Sequence, residues 1–256
     1  MNYYGKSDIG KSRKENQDAL EICSVNNDVS LFIVCDGVGG SEGGANASRT
    51  VCTVFAETVK KLLPAVTQKH SSTSSLSEST ARDILLAALN AAQEELRICA
   101  DQNPDLLQMA TTIVAALWMG SCVYILNVGD SRAYIVASKQ ITQLTKDHSY
   151  VQELIDSGMI SPEQADDHIH KNIITRSVGT KEKVTPDLFK VSLSDLSSYC
   201  LLLCTDGLTN LVSDEEIQKI LSGAGSLRGK TDKLIGLAND RGGFDNITVL
   251  LLSDHN

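Results

Sequence analysis

The feature that most constrains this chain is Ser30-Leu31-Phe32-Ile33-Val34-Cys35-Asp36-Gly37-Val38-Gly39-Gly40, an apolar run that ends in a carboxylate and then in glycines. Leu31 to Cys35 is rich in β-formers and has the length of a buried strand. Gly37, Gly39 and Gly40 then permit close approaches that a Cβ would obstruct. An aspartate at such a strand end is held rigidly and faces outward. The pattern repeats where Tyr199 to Cys204 runs into Thr205-Asp206-Gly207, and a third aspartate, Asp245, precedes the apolar run Ile247 to Leu252. Three aspartates at strand ends, far apart in sequence, are what a metal site assembled by tertiary folding needs.

The rest of the chain supplies partners for these strands. Tyr3 to Ile9, Asp18 to Val25 and Val29 to Cys35 read as strands, with a polar turn from Gly10 to Asn16. Ala45 to Leu63 carries Ala47, Val51, Val54, Phe55, Val59 and Leu62 at helical spacing and is expected to end at Pro64. Thr67 to Ser79, rich in Ser and Thr, reads as a loop before a second helix over Thr80 to Ala100. Met109 to Met119, Cys122 to Val128 and Arg132 to Ala137 are expected to form a meander. Residues 147–175 break the pattern with a short helix at Ser149 to Ser157 and a His/Asp-rich patch, and read as a flap over one edge of the site, before Asn172 to Val178. Strands at Pro186 to Val191 and Tyr199 to Cys204, helices at Asp214 to Leu221 and Lys230 to Asp240, and the strand Ile247 to Leu252 close the chain. Neither a repeat nor a linker divides it, so 1–256 is expected to be a single domain, an α+β sandwich.

Composition narrows the function. With 42% hydrophobic residues the chain can bury a substantial core, and a net charge of -9 excludes the basic stripe of a nucleic-acid or anionic-membrane binder. The cysteines, Cys23, Cys35, Cys52, Cys99, Cys122, Cys200 and Cys204, are odd in number, lack a Cys-x-x-Cys pair and read as reduced core residues. Met1 to Tyr4 lacks a signal pattern and no run is long enough for a membrane span, which suggests a cytoplasmic protein.

Six motifs in order carry a resemblance: Arg13-Lys14-Glu15-Asn16-Gln17-Asp18, Asp36-Gly37-Val38-Gly39-Gly40, Ala110-Thr111-Thr112, Gly129-Asp130-Ser131-Arg132, Thr205-Asp206-Gly207 and Asp245-Asn246. Together, and over Tyr3 to Leu252, they resemble the metal-dependent serine/threonine phosphatases of the protein phosphatase 2C family, the bacterial branch in particular. The resemblance implies a four-layer sandwich of two antiparallel sheets flanked by helices, with the metal site in a cleft at one end. It implies hydrolysis of phosphoserine and phosphothreonine in proteins, by attack on phosphorus of a hydroxide bridging two Mn²⁺ or Mg²⁺ ions. It also implies phosphorylated proteins as partners, a bacterial serine/threonine kinase and its targets among them, and a monomer. Hard cations of this kind take oxygen ligands rather than Cys or His.

By the same resemblance Asp36 bridges the two metals, the Gly37 carbonyl ligates one, Asp206 and Asp245 hold the other, and Asp18 acts through metal-bound water. Asp130, with Asp206, matches a weaker third metal position. Arg13 would clamp the substrate phosphate through paired guanidinium donors, and Asn246 would brace the last turn. Val38 stands where eukaryotic members often carry a histidine. His168 is followed by Ile169 where bacterial relatives often have proline, and is a candidate substrate contact. Against this stand plainer readings. A single Asp-Gly usually caps a turn, Asp130 suits a hairpin turn, and His148, His168 and His170 read as solvated loop histidines rather than a zinc set. Two other functions compete. An inactive metal-binding module would ordinarily lack one of Arg13, Asp18, Asp36, Asp206 and Asp245, and a metal-dependent nuclease would need a basic groove.

Overall fold

The computed structural model describes residues 1–26, 28–38, 41–67, 77–179 and 183–254; Gly39, Gly40 and most of the Thr67 to Ser79 loop lie outside them. In chain order, β1 (Asn2–Asp8), β2 (Asp18–Asn26) and β3 (Val29–Val38) precede helices α1 (Ser41–Thr67) and α2 (Glu78–Gln102). Strands β4 (Ala110–Thr111), β5 (Ile113–Met119), β6 (Cys122–Val128), β7 (Arg132–Ala137) and β8 (Gln140–Gln143) follow, then helices α3 (Tyr150–Asp156) and α4 (Pro162–Asp166). The chain continues through β9 (Val178–Gly179), β10 (Asp187–Ser192), β11 (Tyr199–Cys204), α5 (Asp206–Thr209), α6 (Asp214–Ser222), α7 (Leu227–Asp240) and β12 (Ile247–Ser253).

One sheet has the order β1-β12-β11-β7-β8 and the other β10-β6-β5-β3-β4-β9, with β2 also paired to β3. All of these pairings are antiparallel. Successive side chains of a strand point to opposite faces, and here both faces are apolar. On β3, Leu31, Ile33 and Cys35 pack with α1 and α2, while Phe32 and Val34 turn toward the other sheet. On β11, Leu201 and Leu203 meet that layer and Cys200, Leu202 and Cys204 pack with α6 and α7. Three apolar interfaces therefore join four layers, helices, sheet, sheet and helices. All seven cysteines are free.

The structure departs from the sequence reading in four places. Helix α1 begins before Ala45 and continues through Pro64; a proline here forfeits one backbone hydrogen bond close to the helix end, where little helix remains to be lost. The expected meander is broken. β6 pairs β5, but β7 crosses to the other sheet beside β11. The crossing uses Gly129 at φ 110°, where a Cβ would lie 2.5 Å from the Thr112 side chain, so only glycine fits. Asn172 to Val178 is not a strand, only a bridge from Ile174 to Ser149 followed by the short β9. Finally, β3 does not end before Asp36 but runs on to Val38.

Candidate metal centre

That last difference fixes the geometry of the site. Phe32, Val34 and Asp36 share one face of β3, so Asp36 continues the row of side chains that fills the space between the sheets. Its partner across the β2–β3 pair is Asp18, which continues the row of Leu20 and Ile22. Two carboxylates directly opposite on adjacent strands repel each other. The neighbouring strands change in the same way at this end. Thr205 follows Leu201 and Leu203, and Thr248 precedes Leu250 and Leu252. Both threonines are fully buried. The apolar layer between the sheets thus ends in carboxylates and hydroxyls, and there the cleft opens.

The backbone around Asp36 is tightly held. Thr112 donates its N–H to the Asp36 carbonyl at 2.8 Å and accepts from the Asp36 N–H on Oγ1 at 3.0 Å, and the Thr111 hydroxyl adds a 2.7 Å bond to the same carbonyl. Gly37 lines the cleft. A Cβ on Gly37 would lie 2.2 Å from the Gly44 carbonyl oxygen of α1, so the glycine lets strand and helix backbones touch. Asn246 ties the turn before β12 to the segment after β1. It accepts from Gln17 N–H at 2.9 Å and donates to the carbonyls of Ile9 and Glu15.

The cleft has a volume of about 440 Å³, and Asp36, Asp130, Asp206 and Asp245 line it together with Arg13. Asp18 lies beneath it. Its Oδ2 accepts from Thr205 Oγ1 at 2.9 Å and lies 2.6 Å from Thr248 Oγ1. Burial pushes the Asp18 carboxyl up to about 7, the two threonine hydroxyls oppose the rise, and Asp206 and Asp245 add to it. Asp130, carried between the sheets by the Gly129 turn, is pushed up to about 8 by burial, then by Asp206 and Asp147. Asp36 and Asp206 are raised by burial and by their acidic neighbours.

These are the properties of a cation site. Asp18 Oδ1 and Asp206 Oδ1 are buried without a hydrogen-bond partner, an arrangement that costs energy unless a positive charge is supplied. The donors are all oxygen, which suits Mn²⁺ or Mg²⁺. Among the described residues, no three His, Cys, Asp or Glu side chains close into a ready-made cage. The carboxylates ring the cleft instead, a spacing that suits hard cations keeping part of their hydration. Arg13 stands at the rim with Nη2 2.7 Å from Asp245 Oδ2.

His148 alone departs from the solvated-loop reading; His170 is exposed and His168 half-buried. His168 does not line the cleft. It packs against Tyr150 and His170, with ring centroids 6.1 and 5.7 Å away, and residues 147–175 reach the cleft through Asn172 and Ile174 instead. His148 is not solvated but buried, its Nδ1 accepting from Gly129 N–H at 3.0 Å and its Nε2 3.3 Å from Asp187 Oδ2. Sequence reasoning also missed the half-buried pair of Arg132 and Asp147, at 2.7 Å, beside Asp130. Thr205 and Thr248 were legible only through strand parity.

Fold and site together define a class: a two-sheet α+β sandwich that gathers carboxylates from both sheets into an acidic cleft at one end. The chain belongs to the protein phosphatase 2C family, whose sequence profile matches residues 5–228. It is 37% identical over 247 residues to the serine/threonine phosphatase stp of Listeria monocytogenes, covering 96% of this chain and 93% of that one. Its fold matches that of the serine/threonine phosphatase Stp1 from Staphylococcus aureus with a TM-score of 0.86 at 35% identity, over 99% of this chain and 95% of that one. It also matches the catalytic domain of the serine/threonine protein phosphatase PstP in complex with two manganese ions, with a TM-score of 0.81 at 31% identity, over 98% of this chain and 96% of that one.

Proposed function

We propose that this protein hydrolyses phosphoserine and phosphothreonine in proteins, using two Mn²⁺ or Mg²⁺ ions held in the cleft between the sheets. The observation that carries the reading is the convergence of Asp18, Asp36, Asp206 and Asp245 beside Arg13, with two buried carboxylate oxygens lacking any partner. Asp36 and the Gly37 carbonyl would hold one cation and Asp36, Asp206 and Asp245 the other, with Asp18 acting through water and Asp130 serving a weaker third. Bound cations would supply an activated water nucleophile and neutralise the phosphoryl oxygens.

The chain's own residues prepare that chemistry. Thr205 and Thr248 hold one oxygen of Asp18 and so aim the other. Thr111 and Thr112 fix the Asp36 backbone. Arg13 can exchange its contact with Asp245 for a phosphate oxygen, where its planar donors fit two oxygens at once. Val38 leaves no imidazole on this wall to protonate the leaving alkoxide, and His168, the candidate substrate contact, is not among the residues that line the cleft.

The same reading takes 1–256 as one catalytic domain with 147–175 as its flap, a cytoplasmic monomer acting on a serine/threonine kinase and its targets. Among the described residues no helix is long and apolar enough to cross a membrane. The intact set Arg13, Asp18, Asp36, Asp206 and Asp245 disfavours an inactive binding module. The test is hydrolysis of a phosphothreonine peptide and of an aryl phosphate with Mn²⁺, expected to be abolished by chelator and by Asp36→Asn. A protein that binds Mn²⁺ and turns over neither substrate would remove the enzyme reading.

A further inference from the structure

Beside the metal cleft lies a second groove of about 670 Å³ with the opposite electrostatic character. Arg176 and Lys183 line it, and among the described residues no carboxylate does. Buried Met109 contributes to its lining, with Leu107 and Val184 as further apolar contacts. In a chain of net charge -9 such a surface is unusual. Arg176 is held in place by Asp187, with Nη1 3.2 Å from Oδ1, yet its side chain stays about half exposed. Lys183 is exposed and makes no ion pair among the described residues.

The sheet register measures the distance to the reaction centre. Gly37 and Val38 of β3 pair with Thr111 and Ala110 of β4, and β4 pairs on its other side with Val178 and Gly179 of β9. Ala110 and Gly179 line the groove. Neighbouring strands are about 4.8 Å apart, so the groove runs from about 5 Å (Ala110 of β4) to about 10 Å (Gly179 of β9) from the strand of Asp36, a span of about two to three residues of extended peptide. On the other side of Asp130 and Asp206, a groove of about 770 Å³ is lined by Glu163, Asp167, Asp214 and Glu215. Two of its cations are already committed, Arg132 to Asp147 and Arg241 to Glu216. An acidic segment is repelled there and attracted toward Lys183.

From this contrast we infer that the groove of Arg176 and Lys183 is a specificity subsite. It takes an aspartate or glutamate side chain two to four residues from the phosphorylated residue of the substrate protein. The inference rests on the phosphatase reading above, and the experiment separates the two. Phosphothreonine peptides carrying Glu, Ala or Lys at each position two to four residues to either side are compared by kcat/KM with Mn²⁺, and their binding is followed by fluorescence anisotropy, which needs no turnover. Lys183→Glu is the variant, and hydrolysis of an aryl phosphate is its control.

At one or more positions Glu is expected to exceed Lys by about two- to fivefold, the worth of an exposed ion pair. Lys183→Glu should reverse that order and leave aryl phosphate turnover unchanged. Equal kcat/KM and equal binding for Glu and Lys at every position, or a preference that Lys183→Glu does not alter, would overturn the subsite. If no substrate is hydrolysed the phosphatase reading fails, while the anisotropy arm still decides whether the groove selects acidic segments.

Discussion

Asp18 shows at the scale of one residue how this cleft is tuned. Its Oδ2 is held by two fully buried hydroxyls, Thr205 and Thr248, and its Oδ1 has no partner. The threonines favour the ionised form, against the burial that drives the carboxyl up to about 7. Removing one of them should therefore make the carboxylate harder to ionise and cation retention weaker. Thr248→Val preserves the shape of the side chain and deletes the 2.6 Å contact. A hydrogen bond to a charged group is worth about 1.5–3 kcal/mol, so Mn²⁺ affinity measured by calorimetric titration is expected to fall about tenfold or more. Unchanged affinity in a folded Thr248→Val protein would show that Asp18 does not sense the cation.

The turn between β6 and β7 brings Asp130 to the site because it carries the chain from one sheet to the other. His148 fixes that turn on both sides, donating its N–H to the Gly129 carbonyl at 2.9 Å and accepting from the Gly129 N–H on Nδ1. In His148→Ala the backbone bond survives but a buried N–H loses its acceptor, at a cost of about 1–3 kcal/mol. The urea midpoint should fall accordingly, and Asn or Gln in its place should recover part of the loss. A midpoint equal to wild type would mean that the turn holds itself. The same turn marks where the sequence was legible. Strands such as β3, β11 and β12 could be read directly, because burial on both faces leaves an uninterrupted apolar run. Asp36, Asp206 and Asp245 could be read because each adjoins such a run. Gly129-Asp130-Ser131 reads equally well as a hairpin turn, since a turn and a crossing use the same residue types and differ only in which sheet receives β7. His148 escapes a sequence reading for a related reason. Its burial is created by Gly129 and Asp187, 19 positions before it and 39 after it in the sequence, and no local pattern reports that.

At the scale of the whole molecule, the clustered carboxylates make folding and cation binding opposing functions of pH. Asp18 at about 7 and Asp130 at about 8, with Asp36 and Asp206 also raised, compare with an ordinary value of 3.8. Without metal, the native protein between about pH 4 and 8 keeps protons that the unfolded chain would release, so its stability must fall as pH rises through that window. Below the ordinary value both states are protonated and the penalty vanishes. His148, lowered from 6.5 by burial, acts in the opposite sense and costs stability only as pH falls below its unfolded value. Between pH 7 and 8.5 that histidine is largely neutral in both states and the carboxylates dominate the slope. The buried thiols of Cys35, Cys200 and Cys204, raised from 9.0, add to it in the same direction only toward the upper end. A tenfold change in the acidity of one carboxyl on folding is worth about 1.4 kcal/mol, so the effect is large enough to see in thermal melts. With chelator present, Tm is expected to fall steadily from pH 5.5 to 8.5. With Mn²⁺ the fall should be reduced or reversed, because cations take the place of the protons, and the gap between the two curves should widen with pH. A chelated Tm that is flat or rising from pH 7 to 8.5, or a Mn²⁺ increment that shrinks with pH, would mean that these carboxylates ionise without mutual cost and do not form a cation-seeking cluster.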